Sequence, residues 1–253
     1  MNSIKRELED YKLLLRNVPS LVVSLFIVSV ISMNLLANKE WFTTPYLALD
    51  CGFTVSWVSF LCMDMICRRF GAKAAAKISI LAMVVNLAVF VLFRFAAGTS
   101  GMWGQYYETE SLQVNDALNA TFAGSWQIVI GSSIAMLCGA VTNSAINGAI
   151  GKRLKNKSFG DFALRSYVST ALGQFVDNFV FAVIVSVPLF GWTMTQVVSC
   201  SILMAGFELV CEVVLSPIAY RITCGWDREH VGEAYLAKKA LPSGQMDATQ
   251  SSL

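Results

Sequence analysis

The chain has 253 residues, of which 55% are hydrophobic and 14% charged, with a mean hydropathy of +0.57 and a formal net charge of +2. Soluble domains carry roughly 25% charged residues, so a globule of this length could not cover itself with polar surface, and lipid has to be part of its solvent. The small net charge hides a strong segregation of sign along the chain.

Residues 3–16 set Ile4, Leu8, Tyr11 and Leu15 at helical spacing among charges of both signs. That pattern predicts an amphipathic helix lying along the inner membrane surface. With no small-residue cleavage site after the first apolar run, this opening does not read as a secretory signal. A bilayer core about 30 Å thick needs roughly 20 apolar residues of helix. Spans are expected near residues 19–36, 46–67, 77–93, 126–150, 166–189 and 193–221. The connection over 98–125 is the longest and is acidic at Glu108, Glu110 and Asp116, with a short helix expected over 114–122. After Trp226 the chain turns polar, and its composition predicts disorder. The organisation expected is therefore a cytoplasmic amphipathic segment over 1–17, a six-helix transport domain over 18–222, and a cytoplasmic tail over 223–253.

Basic residues test this arrangement, because cytoplasmic loops are rich in Lys and Arg. With the N-terminus inside, 17 of the 19 fall on inner segments, and only Lys39 and Arg94 fall outside. A wrong number of spans would scramble that alternation. The fold expected is an all-α integral membrane protein, a bundle of six transmembrane helices with both termini in the cytoplasm. The seven cysteines (51, 62, 67, 138, 200, 211, 224) are odd in number and mostly sit in apolar runs, so they read as packing residues rather than disulfides or metal ligands. Trp41, Trp103, Trp126, Trp192, Tyr220 and Trp226, at span ends, read as interface anchors.

Ionisable groups inside a bilayer are costly and mark functional positions by default. Four carboxylates fall within the expected spans: Asp64, Asp177, Glu208 and Glu212. No Lys, Arg or His lies deep in any span to balance them. They are then protonated, wetted by a cavity, or satisfied by the donors of a ligand. Gln174, Asp177 and Asn178 share one turn of the fifth span, with Thr170 and Gly173 extending the stripe. Glu208 and Glu212 share a face of the sixth. Asn143 and Asn147 do so on the fourth, continuing a small-residue ridge of Gly131, Ala135 and Gly139 that suits close helix approach. Asn34 lies late in the first span, and Asn86 reads as interhelical glue. Asp64, four residues before Arg68, also suits an interfacial ion pair. The chain has no G-x-x-x-x-G-K-[ST] loop, and its one histidine, His230, lies in the tail, which excludes that route to ATP hydrolysis and a His-based intramembrane site.

Five stretches resemble the queuosine precursor transporter family, also described as a vitamin uptake transporter family. They are Ser32-Met33-Asn34 through Lys39; Asp64 followed by Phe70-Gly71-Ala72-Lys73; Ser133 to Asn143 with Lys152-Arg153-Leu154-Lys155; Ser169-Thr170-Ala171-Leu172-Gly173-Gln174-Phe175-Val176-Asp177; and Glu212 through Ser216-Pro217-Ile218-Ala219-Tyr220. The fourth is the most specific. The resemblance implies import of 7-deazaguanines, such as 7-cyano- or 7-aminomethyl-7-deazaguanine, or queuine, for tRNA modification. A guanine-like edge offers two adjacent N–H donors, which a carboxylate accepts as a pair. Two departures point to a divergent subgroup. Glu208 stands where the family usually has Lys, and Asn143 stands where it often has Asp, with Ala140 in place of a preceding Gln.

The expected function is thus a non-enzymatic carrier, secondary or facilitated, in the cell membrane. The expected substrate-binding residues are Asp177, Gln174, Asn178, Asn143, Asn34, Asp64 and Glu208. Glu212 and Glu208 are the candidates for a coupling proton. No cofactor, metal or nucleic acid is expected, and a homodimer is an open possibility. The alternatives are a capture subunit of an ATP-driven vitamin importer, or a carrier for another vitamin- or purine-like solute.

Overall fold

The computed structural model describes residues 2–99, 111–153 and 159–240. Helices dominate it: α1 (Asn2–Asn17), α2 (Ser20–Leu36), α3 (Phe53–Phe70), α4 (Ala72–Ala96), α5 (Ser111–Arg153), α6 (Phe159–Phe181), α7 (Val187–Phe190), α8 (Met194–Arg228) and α9 (Glu233–Ala240). A π-helical stretch, Ala182–Ser186, joins α6 to α7. A hairpin of β1 (Glu40–Thr43) and β2 (Ala48–Asp50) links α2 to α3.

Local chemistry sets the breaks. Pro19 begins α2, and the chain bends by 103° there, so that α1 runs across the foot of α2. Gly71 has φ +89°, a value costly for any residue with a β-carbon, and it turns α3 into α4. Gly191, with φ +68°, ends α7, and Thr193 with Gln196 forms a capping box that starts α8.

The long helices close a ring, α5 on α6, α6 on α8, α8 on α3, α3 on α4 and α4 on α5, with α2 packed against α3, α4 and α5. Among the described residues four helices are long and apolar enough to cross a membrane, over Ala72–Ala96, Asn115–Asn143, Tyr167–Phe190 and Met194–Leu215, and the bent α1–α2 pair meets the same criterion when its two helices are taken as one span. Apolar side chains such as Leu87, Val91, Ile134, Leu137, Ile202 and Val210 point outward from them, as a lipid-facing surface requires.

Two apolar cores mark the two ends. One gathers Leu14, Ile66, Phe70, Ile78, Trp226 and Tyr235 where α1 and α9 meet the α3–α4 turn, a layer termed the plate. The other gathers Ala48, Leu49, Trp192, Val197 and Met204 beneath the hairpin.

Several expectations are corrected. The second span does not start at 46: residues 40–43 and 48–50 are paired strands, and helix begins at Phe53. The short helix expected over 114–122 is part of α5, one continuous 43-residue helix. Within the tail, α8 runs on to Arg228, and α9 packs its buried Tyr235 against Phe70. The remainder, 241–253, lies outside the described residues, as does Trp103. Trp192 is not an interface anchor, being only 4% exposed and donating to Glu40 Oε1 at 2.6 Å. Trp226 is likewise buried, against Phe70.

Candidate functional site

The polar stripes of α6 and α8 meet between the two apolar cores. Asn178 Nδ2 donates to Glu208 Oε2 at 3.1 Å and to the Gln174 carbonyl at 2.9 Å, tying the two helices together. Ser56 of α3 lines the cavity beside Glu208, with its hydroxyl donating to the Phe53 carbonyl at 3.0 Å. Glu208 is 4% exposed. Asp177 has no hydrogen bond or ion pair among the described residues.

These groups surround a central cavity of about 90 Å³. Asn34 enters it from α2, Asp50 from β2, Ser56 and Phe60 from α3, Ser132 from α5, Asp177, Asn178 and Phe181 from α6, and Glu208 from α8. Among the described residues no Lys, Arg or His lines it. Three carboxylates thus face one small space without a positive partner in its wall. Asn34 is 2% exposed, and its Nδ2 has no hydrogen-bond acceptor among the described residues, a state that costs about 1–3 kcal/mol for a buried polar group. Such a donor is an unmet demand inside the cavity.

Close helix contact places Asp177. A β-carbon on Gly139 would stand 2.9 Å from the Asp177 Cβ and 2.9 Å from the Gly173 carbonyl oxygen. One on Gly173 would stand 2.8 Å from the Asn143 Cβ. The glycines therefore let α5 and α6 touch backbone to backbone, and Asp177 is carried on that seam.

A second, plate-side cavity of about 390 Å³ lies against the first. Asp64, Arg68, Glu212, Cys67, Cys211 and Tyr220 line it, and Phe60 and Glu208 line both cavities. Its acids do have a cation near them. The Arg68 guanidinium stacks 3.9 Å from the centre of the Tyr220 ring, so Tyr220 is engaged in the protein rather than serving only as an interface anchor. The expected absence of countercharge thus fails at this end and applies to the central cavity. Arg68 makes no ion pair with Asp64 among the described residues. A third pocket, of about 30 Å³, adjoins the central cavity below the hairpin and shares Asp50, Phe53, Asn178, Phe181 and Met204 with it.

Of the residues singled out in the sequence, Asp177, Asn178, Asn34 and Glu208 come together in the central cavity. Asp64, Glu212 and Glu208 meet in the plate-side one. Gln174 and Asn143 do not line either. Gln174 is buried with its Oε1 unpartnered, and Asn143 packs at the α5–α6 seam. Asp50 was missed, because an apolar window absorbed it. The signal was the Asp50-Cys51-Gly52 turn, a carboxylate followed by glycine, which interrupts a helical pattern. Gly52 N–H donates to Asp50 Oδ1 at 2.7 Å, and burial pushes the Asp50 carboxyl up to about 6 despite that bond.

Residues 50–222 match the profile of the family described as Putative vitamin uptake transporter. The chain belongs to the vitamin uptake transporter family. No curated protein and no solved structure matches it. The match opens at Asp50 and closes beyond Tyr220, so it contains every central-cavity carboxylate, while Asn34 precedes it. Membership in the vitamin uptake transporter family, with the apolar helices, makes this a multi-pass membrane protein that moves a small molecule, a non-enzymatic role.

Proposed function

We propose that this protein imports a queuosine precursor, a 7-deazaguanine such as 7-cyano- or 7-aminomethyl-7-deazaguanine, or queuine, as a secondary or facilitated carrier in the cell membrane. The observation that carries the reading is the central cavity, where Asp177 and Glu208 face unpaired acceptor capacity into a space with no cation in its wall. A guanine-like edge supplies adjacent N–H donors, and a carboxylate receives them bidentately. Phe181 lines the same cavity and offers a face for stacking. Phe175 and Phe179 stack on each other instead, with ring centres 5.9 Å apart.

Six crossings, by α2, α3, α4, α5, α6 with α7, and α8, put both termini and the plate in the cytoplasm. The distribution of Lys and Arg supports this. α2 is apolar but only 17 residues long, and α3 carries Asp64, Arg68 and Arg69 toward its plate end, so neither is a long apolar span like the other four. The plate-side cavity matches ligand pockets of roughly 300–1,000 Å³, whereas the central one holds about three waters' worth of space. That difference supports a conformation open toward the cytoplasm and closed over the central cavity. Glu208, lining both cavities, and Glu212 carry the coupling proton in this reading.

The test is a thermal-shift and uptake screen of purified, reconstituted protein against 7-deazaguanines, with purines and vitamins as controls. A 7-deazaguanine that stabilises the protein and enters vesicles holding no ATP-driven module supports the reading; stabilisation by a vitamin alone overturns it. Uptake whose pH dependence is unchanged in Glu212→Gln removes that residue from proton coupling.

A further inference from the structure

The hairpin places a carboxylate in the cavity that no helical stripe supplies. Asp50 lines both the central cavity and the pocket beneath the hairpin. Its Oδ1 accepts the Gly52 N–H at 2.7 Å, which fixes the group. A carboxylate has about four acceptor sites, so capacity remains for the cavity. The hairpin itself is anchored. Trp192 Nε1 donates to Glu40 Oε1, Gln196 Nε2 donates to the Thr44 carbonyl at 2.7 Å, and Ala48 and Leu49 are buried against α8. An independent sign of a ligand stands in the same cavity: the Asn34 amide, 2% exposed and with Nδ2 unpartnered.

We propose that Asp50 contacts the cargo and sets its specificity. With Asn34 it adds contacts from the hairpin and α2 to those of Asp177 and Glu208 from α6 and α8. This rests on the transport reading above and deepens it. Three carboxylates around one small space select cargo rich in N–H donors or bearing a cation, while the Asn34 amide meets an acceptor on the same molecule. A 7-aminomethyl base therefore gains more from Asp50 than its neutral 7-cyano counterpart. Because the hairpin both covers the cavity and carries Asp50, bound cargo also holds the cover in place.

The experiment measures binding of 7-aminomethyl- and 7-cyano-7-deazaguanine to full-length protein in nanodiscs, comparing the native chain, Asp50→Asn and Asp116→Asn. Asparagine keeps the oxygen that receives the Gly52 N–H and discards the charge. Expected is a loss of about tenfold or more for the aminomethyl ligand in Asp50→Asn, the size of one charge-assisted hydrogen bond. A smaller loss is expected for the cyano ligand, and no loss of affinity in Asp116→Asn, an exposed acid on α5 that lines none of the three cavities. Equal affinities in the native chain and Asp50→Asn overturn the proposal and leave the transport reading standing; failure of both ligands to bind the native chain overturns both. A second readout needs no variant. Saturating cargo should slow alkylation of Cys51, one residue from Asp50 and free, as read by peptide mass mapping. An unchanged Cys51 rate with cargo bound overturns the proposal.

Discussion

The plate and the central cavity handle charge in opposite ways. In the plate, Arg69 pairs with Asp227 and donates to the Val231 carbonyl, Lys77 pairs with Glu7 and Asp10, and Lys239 donates to the Phe70 carbonyl. Phe70, 1% exposed, fills the middle of that layer against Trp226 and Tyr235. Elsewhere, Asp50, Asp177 and Glu208 face a cavity whose wall holds no cation among the described residues. A packed layer with matched charges is what a chain builds to hold its own shape. An unmatched set, in a place where burying charge costs several kcal/mol per ion, is retained only for something that arrives from outside.

Substitutions can break this contrast. The largest loss of stability is expected from Phe70→Ala, about 3–5 kcal/mol for a fully buried aromatic, seen as a large fall in the thermal midpoint. Gly232→Ala follows it. Gly232 has φ +75°, and a β-carbon there would lie 2.2 Å from the Phe70 ring, so the midpoint should fall by several degrees. Glu208→Gln should do the reverse. The amide still receives the Asn178 N–H and sheds an uncompensated charge, so the midpoint holds or rises while affinity for cargo drops about tenfold or more. Arg69→Ala should cost about 1–2 kcal/mol, because it leaves the Val231 carbonyl without its donor and frees Asp227, which is largely exposed.

The remaining effect is one of pH. The Asp50 carboxyl sits at about 6 in the folded chain against an ordinary 3.8, mainly through burial. Between those values the folded state holds a proton that the unfolded chain has released. Stability therefore declines as pH rises through that window. The difference in midpoint between the native chain and Asp50→Asn, followed from pH 4 to 7 as an order-of-magnitude window, should grow in favour of the variant. A difference that does not vary with pH would remove Asp50 from that titration.

Much of the helical frame was legible because long apolar runs bounded by charge have one economical solution in lipid. α2 lies within one residue of its expected bounds, as does the apolar span Tyr167–Phe190, while α4 extends beyond its own at both ends. The hairpin was not legible. Leu47, Ala48 and Leu49 form a short apolar run, and hydropathy alone does not separate a buried strand from the first turn of a helix. The polar composition of the tail conceals one apolar anchor, Tyr235, whose burial depends on Phe70 far away in sequence. At the site, Asp177, Asn178 and Glu208 were readable as stripes on single helices. Asp50 was not, because it reaches the cavity only through the register of the hairpin. Arg68 reads as a loop charge, yet helix α3 carries it to the plate-side cavity.

The most direct test is Asp177→Asn, measured for both thermal midpoint and cargo uptake in reconstituted vesicles. Asp177 makes no polar contact within the described residues, so a role limited to the fold predicts no loss of transport beyond any loss of stability. The result expected is a midpoint as high as the native one with uptake reduced about tenfold or more. Native uptake, or a loss of uptake that follows a fallen midpoint, would contradict the account.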